Sequence, residues 1–125
     1  MYELTVRTTF AAAHAIVMSG ERETLHGHNW DVTAVIRSPE VDGDGLVCDF
    51  HAAHGALVKI VEPFHNNTLN SVKPFDTVNP TAEFVARHIA RSLSDALAPT
   101  LSPRGAKVHS VGVTESPGCC AWYYP

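Results

Sequence analysis

Hydrophobic and polar positions alternate through most of the N-terminal third of the chain. Leu4, Val6, Thr8 and Phe10 fall on one parity and Glu3, Thr5, Arg7 and Thr9 on the other, the period-two pattern of a strand with one buried face. This strand can run on to His14. After the turn-prone stretch Met18-Ser19-Gly20-Glu21-Arg22-Glu23-Thr24 the alternation resumes, with His26, His28, Trp30, Val32, Ala34 and Ile36 set against Gly27, Asn29, Asp31, Thr33, Val35 and Arg37. Two strands separated only by a loop can pair antiparallel. Asp42-Gly43-Asp44-Gly45 is a turn by composition, and the period then becomes helical. Asp49 is placed to cap a helix whose apolar residues Phe50, Ala53, Leu57 and Ile60 share a stripe, and Pro63 lies just beyond its last turn.

From Phe64 to Val78 there is no clear period, which predicts a structured loop. Asn79-Pro80-Thr81 predicts the start of a second helix, with Asn79 as cap and Pro80 at the first helical position. The stripe Phe84, Val85, Ile89, Leu93 and Leu97 carries it to about Leu97, with Pro99 and Pro103 ending it. Val108, Ser110, Gly112 and Thr114 alternate with His109, Val111, Val113 and Glu115 in a third strand. Pro117-Gly118 makes a turn, and Cys119 to Tyr124 forms a short last strand. The order β-β-α-α-β-β predicts an α+β fold over residues 1–125: one domain, an antiparallel four-stranded sheet with two helices on one face. So small an open sheet has edges that invite pairing with copies of itself, so a homo-oligomer closed into a barrel is expected.

Composition narrows the function. The chain has 125 residues, 45% of them hydrophobic, and a formal charge of −4. No basic stripe is present to hold a phosphate backbone, so nucleic acid is not an expected partner. No apolar run approaches the roughly 20 residues of a membrane helix, and Met1-Tyr2-Glu3-Leu4 lacks the layout of a signal peptide. A soluble, cytoplasmic protein with no membrane partner is expected. Three cysteines, Cys48, Cys119 and Cys120, two of them adjacent, make no disulfide framework and read as reduced thiols.

Eight histidines are the one compositional excess. His26 and His28 are two apart on a strand, so their rings leave the same face with Cα atoms roughly 7 Å apart, a gap that two imidazoles can bridge at the ~2.0–2.1 Å zinc–nitrogen distance. His14 ends the preceding strand on the parity of Phe10, so a hairpin brings it to that face. A lone histidine on such a strand is ordinarily a packed polar residue; His-x-His with a third histidine at the neighbouring strand end reads as a metal site. Three neutral nitrogens without a thiolate describe catalytic zinc with a fourth position for water or substrate. His51, His54, His88 and His109 need only packed or solvated roles.

In order along nearly the whole chain, Phe10-Ala11-Ala12-Ala13-His14, Leu25-His26-Gly27-His28-Asn29-Trp30, Val47-Cys48-Asp49-Phe50, Leu69-Asn70, Asn79-Pro80-Thr81-Ala82-Glu83 and Val113-Thr114-Glu115 make the chain resemble the 6-pyruvoyl-tetrahydropterin synthase and 6-carboxy-tetrahydropterin synthase family. The resemblance implies the tunnelling fold, a homohexamer of two stacked trimers, and active sites at subunit interfaces. It implies that His14, His26 and His28 bind zinc and that Glu115 anchors a pterin. A carboxylate accepts two parallel hydrogen bonds from the N–H edge of such a ring, and Thr114 and Thr81 would add hydroxyl contacts. Taken without the resemblance, Glu115 reads as a surface strand residue.

The departures from the family pattern bear on activity. Family enzymes carry a cysteine shortly before His-Gly-His as the proton-abstracting base, whereas this chain reads Gly20-Glu21-Arg22-Glu23-Thr24. They also carry Asp-His shortly before Leu-Asn, where this chain reads His65-Asn66. One subgroup uses a glutamate near the cysteine position and cleaves the side chain of dihydroneopterin triphosphate to 6-hydroxymethyl-dihydropterin. By that likeness Glu23, or else Glu21, is the candidate general base; His65 is chemically able to shuttle protons but Asn66 is not, so the ordinary synthase mechanism is not expected. The other reading of Glu21-Arg22-Glu23 is a solvated charged loop. Three functions follow: a zinc-dependent lyase-type pterin enzyme, a pterin-binding protein that has lost the synthase reaction, or a metal-holding structural oligomer.

Overall fold

The computed structural model describes residues 1–125. Two long strands dominate it, β1 (Tyr2–His14) and β4 (His26–Ser38), joined through a small hairpin of β2 (Val17–Met18) and β3 (Glu21–Arg22). Helix α1 (Phe50–Val61), a two-residue strand β5 (Asn67–Thr68), helix α2 (Ala82–Leu101), β6 (Lys107–Ser116) and β7 (Cys119–Tyr123) complete the chain. The sheet order is β5-β1-β4-β6-β7. The four expected strands pair antiparallel. The fifth, β5, pairs parallel to β1 at Ala12 and Ala13, so the sheet is mixed rather than wholly antiparallel. No helix is long and apolar enough to cross a membrane.

One sheet face carries Val6, Phe10, Trp30, Val32, Ala34 and Ile36, buried against Ala53, Leu57 and Val61 of α1 and Val85, Ile89 and Leu93 of α2. At ~25 cal/mol per Å² of apolar surface removed from water, this shared core is the main force holding sheet to helices. It also sets the register: Phe10 lies opposite Trp30, their rings stacked with centroids 5.7 Å apart, and His14 lies opposite His26. A slip by one residue would turn every side chain to the wrong face.

Several expectations shift. Asp49 caps α1 as read, accepting from the His51 N–H. Helix α2 is capped by Thr81, whose hydroxyl oxygen accepts from the Phe84 N–H, and not by Asn79, whose amide is committed elsewhere, so Pro80 precedes the cap instead of opening the helix. The helix also passes Pro99 and reaches Leu101. A proline that close to a C-terminus costs one hydrogen bond without breaking the last turn. Phe50 and Phe84, assigned to the buried stripes, are 54% and 37% exposed; Phe84 lies under the Arg87 guanidinium at 4.2 Å. In β6 the pairing shifts at the Val35/Ile36 step and skips His109, so Val108 joins Val111 and Val113 in the core. That bulge breaks the simple alternation. The last strand stops at Tyr123.

Candidate metal and ligand site

His14 and His26 face each other across the β1/β4 ladder, and His28 faces Ala12 two pairs further on. All three share the parity of Phe10 and Trp30, so the core that fixes the register also aims the rings at one another. Ring centroids lie 4.7 Å apart for His14–His26 and His26–His28, and 5.3 Å for His14–His28. Trp30 stands edge-on to His14 at 4.8 Å and donates its indole N–H to the Ala12 carbonyl, walling the cluster off from the core.

Glu115, near the end of β6, completes the group. Its Oε1 lies 2.9 Å from His28 Nε2, 3.0 Å from His14 Nε2 and 3.9 Å from His26 Nε2. One donor atom from each of His14, His26, His28 and Glu115 falls within 4.8 Å of every other, and the group could hold a metal ion. Hydrogen bonding at the far side of two rings fits that use. His14 Nδ1 donates to the Pro80 carbonyl at 2.8 Å, and His26 Nδ1 to the Thr24 carbonyl at 2.8 Å. An imidazole whose Nδ1 carries the proton presents the Nε2 lone pair, the arrangement that orients a histidine for a metal. His28 Nε2 is buried with no hydrogen-bond partner. Burial holds the His28 imidazole below its ordinary range; the Glu115 carboxylate opposes that shift and His14 and His26 add to it. A neutral ring with an orphaned lone pair fits a cation-binding role.

Glu23 borders the cluster and Glu21 does not. Glu23 Oε1 accepts from the Ile16 N–H at 3.0 Å and lies 3.7 Å from His26 Nε2. Glu21 is exposed in the small hairpin, opposite Met18. Thr114 and Glu115 line one depression of about 580 Å³ with His28 and Asp31, and Thr81 and Glu115 line another of about 450 Å³ with Ile16 and Cys120. His65 lies apart from the four converging groups. Its Nδ1 accepts the Ala11 N–H at 3.1 Å, which leaves the ring's proton on Nε2. Asn66, beside it, adopts φ 59°, a left-handed conformation that asparagine tolerates better than most residues.

Two asparagines behind the site escape a reading of periodicity. Asn70 makes a double hydrogen bond to the backbone of Ala15, Oδ1 accepting its N–H and Nδ2 donating to its carbonyl, both at 2.9 Å. Asn79 does the same to Val17, also at 2.9 Å on both sides. Between them Ile16 bonds Glu23 through both its N–H and its carbonyl. Three consecutive residues after His14 are thus each held by a two-point clamp. The signal available in the sequence was the pair of asparagines in Leu69-Asn70 and Asn79-Pro80, in a segment without period.

A family model described as 6-pyruvoyl tetrahydropterin synthase matches residues 3–125. A protein of Archaeoglobus fulgidus, provisionally named 6-carboxy-5,6,7,8-tetrahydropterin synthase, is 29% identical over 111 residues, covering 89% of this chain and 85% of that one. Among solved structures, the 6-pyruvoyltetrahydropterin synthase of Plasmodium vivax superposes with a TM-score of 0.81 at 25% identity, over 99% of this chain and 97% of that one. The Caenorhabditis elegans 6-pyruvoyl tetrahydropterin synthase gives 0.83 at 21%, over 99% and 95%, a likeness of fold. The P. vivax protein has also been solved with a glutamate, described as a catalytic residue, replaced by alanine.

Proposed function

Because the chain belongs to the 6-pyruvoyl tetrahydropterin synthase family, we propose that it is a zinc-dependent, lyase-type pterin enzyme that cleaves the side chain of a dihydroneopterin-triphosphate-like substrate with Glu23 as general base. The observation that carries this reading is the Glu23 carboxylate, 3.7 Å from His26 Nε2 at the rim of the three-histidine cluster, in a stretch with no cysteine. A glutamate described as catalytic in the P. vivax relative supports it.

In this reading His14, His26 and His28 would hold the ion, which would supply Lewis-acid polarisation of a side-chain hydroxyl. Glu115 receives the N–H edge of the pterin ring, and the Thr114 and Thr81 hydroxyls stand in the two depressions it borders. Glu23 removes the proton from the hydroxyl on the carbon beyond the scissile bond. The O–H electron pair becomes the new carbonyl bond, the carbon–carbon bond breaks, and its electrons pass to the carbon attached to the pterin ring. That carbon takes the proton back from Glu23, leaving a hydroxymethyl pterin and an aldehyde. The Ile16 N–H on Glu23 Oε1 keeps the carboxylate turned to the cluster.

The test is incubation of zinc-loaded protein with dihydroneopterin triphosphate and chromatography of the products. A hydroxymethyl pterin is expected, and Glu23→Gln should slow its release by about 10²–10⁴-fold. An unchanged rate in that variant excludes Glu23 as the base. A second reading, a pterin-binding protein without turnover, draws on His65, whose Nδ1 is already engaged by Ala11; pterin binding with no product from the wild type would favour it. The chain's assembly is proposed as a homohexamer, supported by two unpaired sheet edges, the outer side of β7 and the side of β1 away from β4 before Ala12. Light scattering should then give six chains of 13.5 kDa.

A further inference from the structure

The proposed pterin anchor and the proposed metal ligands converge on one oxygen atom. Four donors around an ion at ~2.0–2.1 Å in tetrahedral geometry lie about 3.3 Å from one another. Glu115 Oε1, at 2.9, 3.0 and 3.9 Å from the three Nε2 atoms, stands where a fourth ligand stands. The lone pairs agree. With Nδ1 of His14 and His26 donating to carbonyls and His28 Nε2 without a hydrogen-bond partner, Nε2 lone pairs and an anionic oxygen face one another. They repel unless a cation lies among them, either a metal ion or the proton by which His14 Nε2 hydrogen-bonds Glu115 Oε1 at 3.0 Å.

The ladder leaves the Glu115 backbone unpaired on its β7 side. The β6/β7 pairing runs Thr114 to Cys120 and then Ser116 to Cys119, skipping Glu115. Glu115 is therefore the extra residue of a bulge, the device by which a strand re-aims one side chain. It is 27% exposed and borders both depressions, the one lined by Thr114 and the one lined by Thr81.

We infer that Glu115 exchanges partners: it is the fourth ligand of the metal when the pocket holds no pterin, and it leaves the ion to receive the ring edge when a pterin binds. Recognition of the ring would thereby free a position at the ion for a donor of the same substrate. The inference rests on the pterin reading given above, and it adds a consequence that neither a fixed anchor nor a fixed ligand has. A pterin that occupies the anchor but brings no hydroxyl should weaken metal binding, because the two ligands compete for one carboxylate and such coupling is reciprocal.

The probe is 6-methylpterin, whose ring is intact and whose side chain cannot coordinate. Zinc affinity is measured by competition with a chromophoric chelator, with and without saturating 6-methylpterin, for the wild type and Glu115→Gln. The cobalt(II) form is followed by visible absorption, and circular dichroism checks that the variant is folded. Glu115→Gln should bind zinc about 10–100-fold more weakly, the scale of lost support at a metal site. In the wild type, 6-methylpterin should weaken zinc binding about tenfold and shift the cobalt bands, and in the variant both effects should vanish. Unchanged zinc affinity in a folded Glu115→Gln overturns the ligand role. Wild-type zinc affinity indifferent to a 6-methylpterin that quenches the protein's fluorescence overturns the exchange. If no pterin binds at all, the exchange fails together with the pterin reading, while weak zinc binding by the variant would still mark a four-ligand metal site.

Discussion

Removing the Asn70 amide should cost far more than removing the Asn79 amide, although each makes the same two hydrogen bonds. Both clamps have 2.9 Å contacts to one residue's N–H and carbonyl. What differs is the residue held. Ala15 is 1% exposed, whereas Val17 is 45% exposed. In Asn70→Ala the Ala15 N–H and carbonyl are stranded away from water, at about 1–3 kcal/mol for each unsatisfied group, or roughly 2–6 kcal/mol together. In Asn79→Ala water reaches Val17 and replaces the lost partners, so only the net worth of the bonds is lost, about 1–2 kcal/mol. At about 4 °C per kcal/mol for a chain of this length, the midpoints of these ranges lower the melting temperature by about 16 °C and about 6 °C. Thermal melts at one protein concentration and one zinc concentration measure this, since both bias the transition. Asn70→Asp sharpens the case: it keeps the acceptor for the Ala15 N–H but turns a carboxylate oxygen toward the Ala15 carbonyl, so it should be at least as harmful as alanine. Equal losses at the two positions, or a harmless Asn70→Asp, would refute the burial argument.

Three other outcomes are expected. A Cβ on Gly112 would stand 2.6 Å from the Trp122 ring, so Gly112→Ala should destabilise by about 1–3 kcal/mol, and adding Trp122→Ala should relieve part of that loss in denaturant titrations. Burial between Phe64 and Phe75 holds His88 below the ordinary histidine value of 6.5. The unfolded chain therefore takes up the proton first, and the stability owed to the neutral ring is lost as pH falls through 6.5 toward the folded value. His88→Leu should flatten that part of the stability profile, and an unchanged slope would show that His88 does not contribute to it. Cys119 and Cys120 are exposed, whereas Cys48 is buried with its thiol pushed up by desolvation, so a thiol reagent should modify two cysteines quickly and the third only on unfolding. Three fast thiols would contradict this.

The parts of the molecule legible along the chain are those set by local period and local chemistry. Alternation alone placed His14, His26 and His28 on the core parity with Phe10 and Trp30, because successive strand residues must point to opposite faces and only one face has helices to bury it. Asp49 as a cap needed nothing beyond its own turn. Resemblance, and not period, drew attention to Glu115 and Glu23. What only the tertiary structure decided are choices between partners far apart in sequence. Asn79 could cap a helix or clamp a strand, and Val17, 62 residues away, claims its amide, leaving the cap to Thr81. Which of Glu21 and Glu23 lies beside His26 is another: the small hairpin leaves Glu21 exposed, while the Ile16 N–H holds Glu23 3.7 Å from His26 Nε2. The skipped residues His109 and Glu115 arise from pairing between strands, and a bulge leaves no mark in the hydrophobic pattern of one strand alone. Local geometry dictates which face a residue occupies. Competition among distant donors, acceptors and charges decides which neighbour it meets there.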